Sequence, residues 1–192
     1  MADFANFPTL TTERLVLREP VVDDAADVLV FRSDPIVQRY NSAPHRDLSE
    51  SRTLIEEIRA VYARDAGIIW VVTLAQSGRV VGISGFDNWD TYHRRAEVGY
   101  DLARDLWGQG IATESLTAIL TYGFSELELR RVEAQTIADN HASVRLLDRL
   151  GFQQEGIRRV YSREEDGLFH DGAIYGLLAS ELTTHVGGRR SG

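Results

Sequence analysis

The chain contains no cysteine among its 192 residues. A disulfide framework, a thiolate metal site and a cysteine nucleophile are therefore excluded, and redox chemistry does not fix its compartment. It also lacks any apolar run approaching the ~20 residues that a membrane helix needs. Its first residues, MADFANFPTL, have neither the basic segment nor the apolar one of an export signal. A cytoplasmic protein that does not engage a membrane is the expectation. Positive charge is scarce: 21 basic residues against 29 acidic ones leave a net charge of −8. That field argues against a general nucleic-acid binder and suits an amine-bearing or cationic partner. No repeat, low-complexity segment or linker interrupts the chain, and with 43% hydrophobic residues it can bury one sizeable core. The last residues, 183–192, are small and polar at their end and are expected to form a flexible tail.

What is present is an ordered series of short elements. Arg14 to Arg18 is a β-rich run halted by Pro20, and a helical pattern runs from Asp23 to a stop at Asp34-Pro35. Asp47-Leu48-Ser49-Glu50 opens a second helix, with Leu54, Ile55, Ile58 and Val61 at helical spacing before Gly67. Ile68–Leu74 and Val80–Phe86 are β-branched runs at hairpin spacing, and a polar loop from Asn88 to Arg95 follows. In residues 96–102 the side chains alternate: Ala96, Val98, Tyr100 and Leu102 share one face, Glu97, Gly99 and Asp101 the other. A helix starting near Gly110 then carries an apolar stripe to Leu127, and Arg131–Ile137 returns as a strand, which makes a β-α-β unit. Asn140–Leu150 reads as a helix stopped by Gly151, and Phe152–Tyr161 and Ala173–Leu178 are further strands. About seven strands and four helices amount to an α/β or α+β single domain by the element-pattern rule.

The first turn of that β-α-β unit is Trp107-Gly108-Gln109-Gly110-Ile111-Ala112-Thr113. A helix start carries backbone N–H groups without intrahelical partners and the positive end of the macrodipole, so it binds anions. Glycines remove the Cβ atoms that would hold a large anion such as a pyrophosphate away. A P-loop would need Gly-Lys-Ser/Thr, and the dinucleotide fingerprint a third Gly or Ala where Thr113 stands. A tight strand-to-helix turn with no ligand remains the alternative for the glycines alone.

Taken together, Leu106 to Glu114, Asn140-x-x-Ser143 and Leu150-Gly151-Phe152 resemble, in order and spacing, the GNAT N-acetyltransferase family. They are most similar to its ribosomal-protein alanine acetyltransferase branch, the RimJ/RimL-like proteins. Thr12-Glu13-Arg14-Leu15-Val16-Leu17-Arg18 and Asp171 to Leu178 add to the likeness, so the domain spans residues 9–182. The resemblance implies a central, splayed mixed sheet with acetyl-CoA held where two neighbouring parallel strands part. It places the pyrophosphate on Trp107, Gly108, Gln109, Gly110, Ile111, Ala112 and Thr113, and the pantetheine arm along the strand edge through Tyr100, Leu102 and Arg104. The family often has Gln or Arg where this chain has Trp107, which puts one side-chain contact to the phosphates in doubt but no backbone donor.

Such enzymes let the amine attack the thioester directly, which agrees with a chain lacking cysteine. The resemblance implies that Asn140 hydrogen-bonds the pantetheine arm and that the Ser143 hydroxyl protonates or solvates the departing sulfur; helix capping is the alternative role of both. Glu97 is the candidate base, directly or through a water, or else a solvated strand residue. Tyr175 is either core or a lining of the acceptor site, and no metal site is expected, since His141 and His170 have no ligand-spaced partners. Only a neutral amine is nucleophilic. With reference pKa values of about 8 and 10.4, an α-amine is substantially neutral near pH ~7.5 and a lysine only about a thousandth so. The first reading is therefore transfer to a protein N-terminus, with a small-molecule amine as alternative acceptor. A non-catalytic acyl-CoA-binding module and a purely structural domain are the other two. An edge strand such as the last could pair across a homodimer.

Overall fold

The computed structural model describes residues 6–164 and 167–182; the expected tail beyond residue 182 lies outside the described residues. The N-terminal half is a meander. Strands β1 (Leu10–Thr11), β2 (Leu15–Arg18), β3 (Ile68–Leu74), β4 (Val80–Asp90) and β5 (Arg95–Leu102) pair antiparallel in chain order. The alternating burial of β2 and the β-branched run of β3 suit strands packed on a shared core. The C-terminal half adds β6 (Arg131–Ile137), β7 (Gln153–Arg163) and β8 (Phe169–Leu178), giving one eight-stranded mixed sheet of order β1-β2-β3-β4-β5-β6-β8-β7.

Helices cover both faces. Helices α1 (Ala25–Arg32), α2 (Pro35–Gln38) and α3 (Leu48–Ala63) lie on the face towards which Asp101 points, where its carboxylate meets Arg32. Helices α4 (Ile111–Ser125) and α5 (His141–Arg149) lie on the other, where Trp70 of β3 meets the ring of Tyr122 and Tyr100 reaches Ser143. Asp47 caps α3 by accepting from the N–H groups of Ser49 and Glu50, and Asn140 caps α5 in the same manner. Gly151, at φ +90, stops α5 in the left-handed conformation that closes so many helices. Among the described residues, no helix is long and apolar enough to cross a membrane.

The feature that positions the site is the pair β5 and β6. They run parallel, as the intervening helix requires, but pair only through Arg95↔Arg131, Ala96↔Val132 and Glu97↔Glu133. Beyond Glu97 the strands part. Val98–Leu102 keep β4 on one side and face a gap on the other, while β6 continues against β8 as far as Ile137.

Two expectations are made exact and two are corrected. Among the described residues the sheet has eight strands, where about seven were expected, because β1, at two residues, is too short to show alternation. Among the described residues there are five helices, where about four were expected, because Pro35 starts a new turn: its missing N–H costs nothing at N1, and Asp34 caps that turn through the N–H of Ile36. The expected loop from Asn88 to Arg95 shrinks to a turn at residues 91–94, because β4 runs to Asp90 through a bulge at Asn88, whose φ is +49, and β5 begins at Arg95. The last strand is not an edge, because β8 sits between β6 and β7 and leaves β7 outermost.

Gly123 lets α4 lie on the sheet. A Cβ there would stand 2.5 Å from Cζ of Phe86 and 3.2 Å from Cδ1 of Leu129, both fully buried. Gly123→Ala is expected to destabilise by about 1–2 kcal/mol, because overpacking a closed core outweighs the helix-propensity gain of alanine; urea unfolding checks it.

Candidate functional site

The turn from β5 into α4 explains its glycines first through the backbone. After the short turn at Arg104–Leu106, Trp107 is extended, and Gly108 and Gly110 adopt φ +75 and +79. Side-chain-bearing residues enter that region only at a cost. Gly110 then occupies the N-cap with no side chain to offer, so the N–H groups of Ile111, Ala112 and Thr113 keep their donors open. Gly108 adds a second reason: a Cβ there would meet nothing within 4 Å, so the glycine leaves room. The two glycines are not equivalent, since a Cβ on Gly110 would instead stand 3.4 Å from Nη2 of Arg14.

This turn forms one wall of a cleft of about 650 Å³ that opens where β5 and β6 part. Tyr100 and Leu102 line it from the free edge of β5, Trp107, Gly108 and residues 110–113 from the turn, and Asn140 and Ser143 from the start of α5. Two helix N-termini thus face one space. Three of the candidate residues are directed elsewhere. Arg104 pairs with Asp34 at 3.3 Å, Gln109 donates its side-chain amide to the carbonyl of Asp105, and Glu97 accepts from Asn88 Nδ2 at 3.1 Å on the side of β5 away from Tyr100. Trp107 keeps its backbone in the cleft wall, while its indole N–H donates to the Leu102 carbonyl and ties the turn to the strand end. Tyr175 is core, fully buried, with its hydroxyl donating to Gln154.

Inside the cleft the Tyr100 hydroxyl and the Ser143 Oγ are hydrogen-bonded to each other. Asn140 Oδ1 accepts from the Ser143 backbone N–H at 3.2 Å, which fixes the first turn of α5 and hence the height of the serine. Burial pushes the Tyr100 phenol up to about 12, against the opposing effect of the Ser143 hydrogen bond. It therefore remains protonated throughout the neutral range. With Tyr100 donating to Ser143, the serine keeps its own proton for a third group in the cleft. The sequence places Tyr100 on the strand edge but carries no sign of this partner, which lies 43 positions away.

A second arrangement is absent from the sequence reading. The Asp101 carboxylate accepts from Arg32 Nη1 at 2.5 Å and from the side chains of Asn41 and Gln38. These bonds draw the segment after α2 over the end of the cleft, where Tyr40 and Asn41 line it. On β6, Gln135 lines the cleft and accepts from Arg158, whose guanidinium stacks over Tyr161 at 5.1 Å. Among the described residues no group of three or more His, Cys, Asp or Glu is placed to hold a metal ion.

A family model described as the acetyltransferase (GNAT) domain matches residues 14–153. The N-acetyltransferase p20 of Bacillus licheniformis is 37% identical over 174 residues, covering 90% of this chain and 97% of that protein. Mycobacterium smegmatis RimJ, solved in complex with CoA-disulfide, superposes with a TM-score of 0.82 at 25% identity, covering 95% of this chain and 92% of that one. RimL, the ribosomal L7/L12 α-N-protein acetyltransferase solved with coenzyme A, shares the fold at a TM-score of 0.81 and 22% identity, over 89% and 98% of the two chains.

Proposed function

The chain belongs to the GNAT acetyltransferase family, and from that membership we propose that it acetylates protein N-terminal α-amines, as the α-N-protein acetyltransferase RimL does, using acetyl-CoA. The observation that carries the proposal is the single cleft in which an uncapped glycine turn and the Ser143–Tyr100 hydroxyl pair face each other across the parted strands. The donor set fits the group. Open N–H groups at Gly108 and residues 110–113 suit a pyrophosphate, the unpaired edge of β5 and the Asn140 amide suit an amide-bearing arm, and the space at Gly108 admits both. The fold shared with RimL, an α-N-protein acetyltransferase, supports the choice of acceptor; the acidic net charge suits basic ribosomal peptides and cationic small molecules alike and does not choose between them.

When bound, acetyl-CoA would supply an acetyl group to the amine, an amide C–N bond replacing the thioester C–S bond and the CoA thiol leaving. The residues of the chain orient and stabilise. Ser143 would donate a hydrogen bond to the sulfur of the bound thioester, and Tyr100, kept protonated by its burial, would sharpen that donor when it donates to Ser143. The amine loses one proton and the sulfur gains one, so the exchange balances. An α-amine of pKa about 8 is about a quarter neutral near pH ~7.5 and asks less of a base than a lysine would; Glu97, held by Asn88 on the face of β5 away from Tyr100, would have to take its proton through water.

Incubation of the purified protein with acetyl-labelled CoA and an extract of its own source tests the proposal. Label on a few proteins, mapped to their N-termini, is expected. Label confined to small amines would make the chain a small-molecule acetyltransferase. CoA binding with no transfer at all would leave only a binding module. The chain has no lysine, every one of its 21 basic residues being arginine, so self-acetylation at lysine cannot contribute to protein-bound label.

A further inference from the structure

The Thr12-x-Arg14 motif touches neither hydroxyl of the cleft, yet it is bound to the glycine turn from outside. Glu114, in the first turn of α4, accepts from the Thr12 hydroxyl at 2.6 Å, from the Arg14 backbone N–H at 2.9 Å and from Arg14 Nε at 2.6 Å. Arg14 Nη1 continues to the carbonyl of Gln109 at 2.9 Å, and Nη2 lies beside Gly110. One guanidinium thus spans the turn, fastening the carbonyl between the two left-handed glycines to the helix that follows. We propose that Arg14, held by Thr12 and Glu114, is a positioning residue for CoA: it braces the turn Gly108–Gly110 and cancels the Glu114 charge beside the pyrophosphate site. The inference rests on the assignment of that turn to the pyrophosphate.

Two physical reasons support it. The turn has glycine on either side of Gln109, so its conformation is not enforced by side-chain sterics and needs an external tie. Glu114 also lies in the first turn of α4, beside the N–H groups proposed for an anion, where an unpaired carboxylate would repel the incoming phosphates. Burial alone would raise the Glu114 carboxyl, but the Thr12 hydroxyl and the Arg14 N–H and guanidinium outweigh it and hold it below the usual range. It is therefore charged at neutral pH and depends on Arg14 for compensation. Both partners reside on separate elements 100 positions apart, β1–β2 and α4, so the clamp also fixes the helix against the sheet edge.

Isothermal titration with CoA and with pantetheine, which lacks the pyrophosphate, tests the inference on the wild-type chain and on Arg14→Ala, Thr12→Val and Arg14→Ala/Glu114→Gln. The wild type is expected to prefer CoA. Arg14→Ala should shrink that preference about tenfold, the scale of one charge-assisted hydrogen bond, and leave pantetheine affinity within about twofold. Thr12→Val should act in the same direction and less, and the double variant should recover part of the loss because the repelling carboxylate is gone. Arg14 is 45% exposed at its side chain, so its removal does not threaten the core. An unchanged preference in Arg14→Ala, or equal weakening of both ligands with a lowered Tm, would overturn the inference. A wild type with no preference for CoA over pantetheine would sink the pyrophosphate assignment itself, and the inference with it, before any variant is made.

Discussion

Ser143→Ala is expected to lower kcat by about 10²–10³-fold, the cost of removing one donor aimed at developing charge, while leaving CoA affinity within about twofold. The separation follows from where the two functions sit. In the proposed mechanism affinity comes from the glycine turn and the edge of β5, whereas the Ser143 hydroxyl acts only as the sulfur departs. The cap of α5 survives the substitution, because it is the backbone N–H of residue 143 that donates to Asn140. What is lost in the resting protein is one hydrogen bond to a buried phenol, about 1 kcal/mol of stability. Tyr100→Phe should cost less, about tenfold in kcat, since Ser143 retains its own proton. Neither group should place a limb in the pH–rate profile of the neutral range. The raised phenol also leaves stability undiminished until pH climbs past about 10, the unfolded value for tyrosine, after which it falls as pH rises towards the folded value of about 12. Single-turnover rates with the acceptor found by label transfer check the kinetics. A rate for Ser143→Ala equal to that of the wild type would show that another donor serves the sulfur.

Local chemistry was the legible part of this chain. Asp47 and Asn140 announce helix starts because a short acceptor before an apolar stripe can satisfy first-turn N–H groups from within three residues. The glycine turn could be read for a similar reason, since anion binding at a helix start is a property of a few consecutive peptides. The β5-α4-β6 crossover was readable because a strand, helix and strand in succession have few ways to pack. Contacts set by tertiary approach were not. Nothing near Tyr100 in the chain marks Ser143 as its partner, and nothing near Arg14 marks Glu114 and Gln109. Alternation places Asp101 on the face opposite Tyr100 and says nothing of its partners, yet its carboxylate gathers Arg32, Gln38 and Asn41 because the segment after α2 folds back across the sheet. The position of β8 inside the sheet had the same cause: order in the chain gives the elements, but their lateral neighbours are chosen by the packing of the whole.

Gly108→Val is expected to weaken CoA binding about 100-fold, by combining two effects that a second substitution separates. A β-branched residue at φ +75 is strained by about 1–2 kcal/mol, and the turn can relieve that strain only by rotating the peptides that present its N–H groups. Independently, its side chain would fill the open space that the glycine leaves in the cleft wall. Asparagine tolerates the left-handed region but still carries a Cβ and an amide. Gly108→Asn should therefore melt close to the wild type yet bind CoA about tenfold more weakly, while Gly108→Val should also lose several degrees of Tm, at about 2–4 °C per kcal/mol for a chain of this size. Calorimetric titration and thermal unfolding of the three proteins decide the matter. If Gly108→Asn keeps full affinity, glycine serves this turn through its backbone alone; if both variants bind as the wild type does, the anion is held elsewhere. The expected order, wild type above asparagine above valine, would mean that Gly108 is required twice, once for the conformation of the turn and once for the room it leaves in front of it.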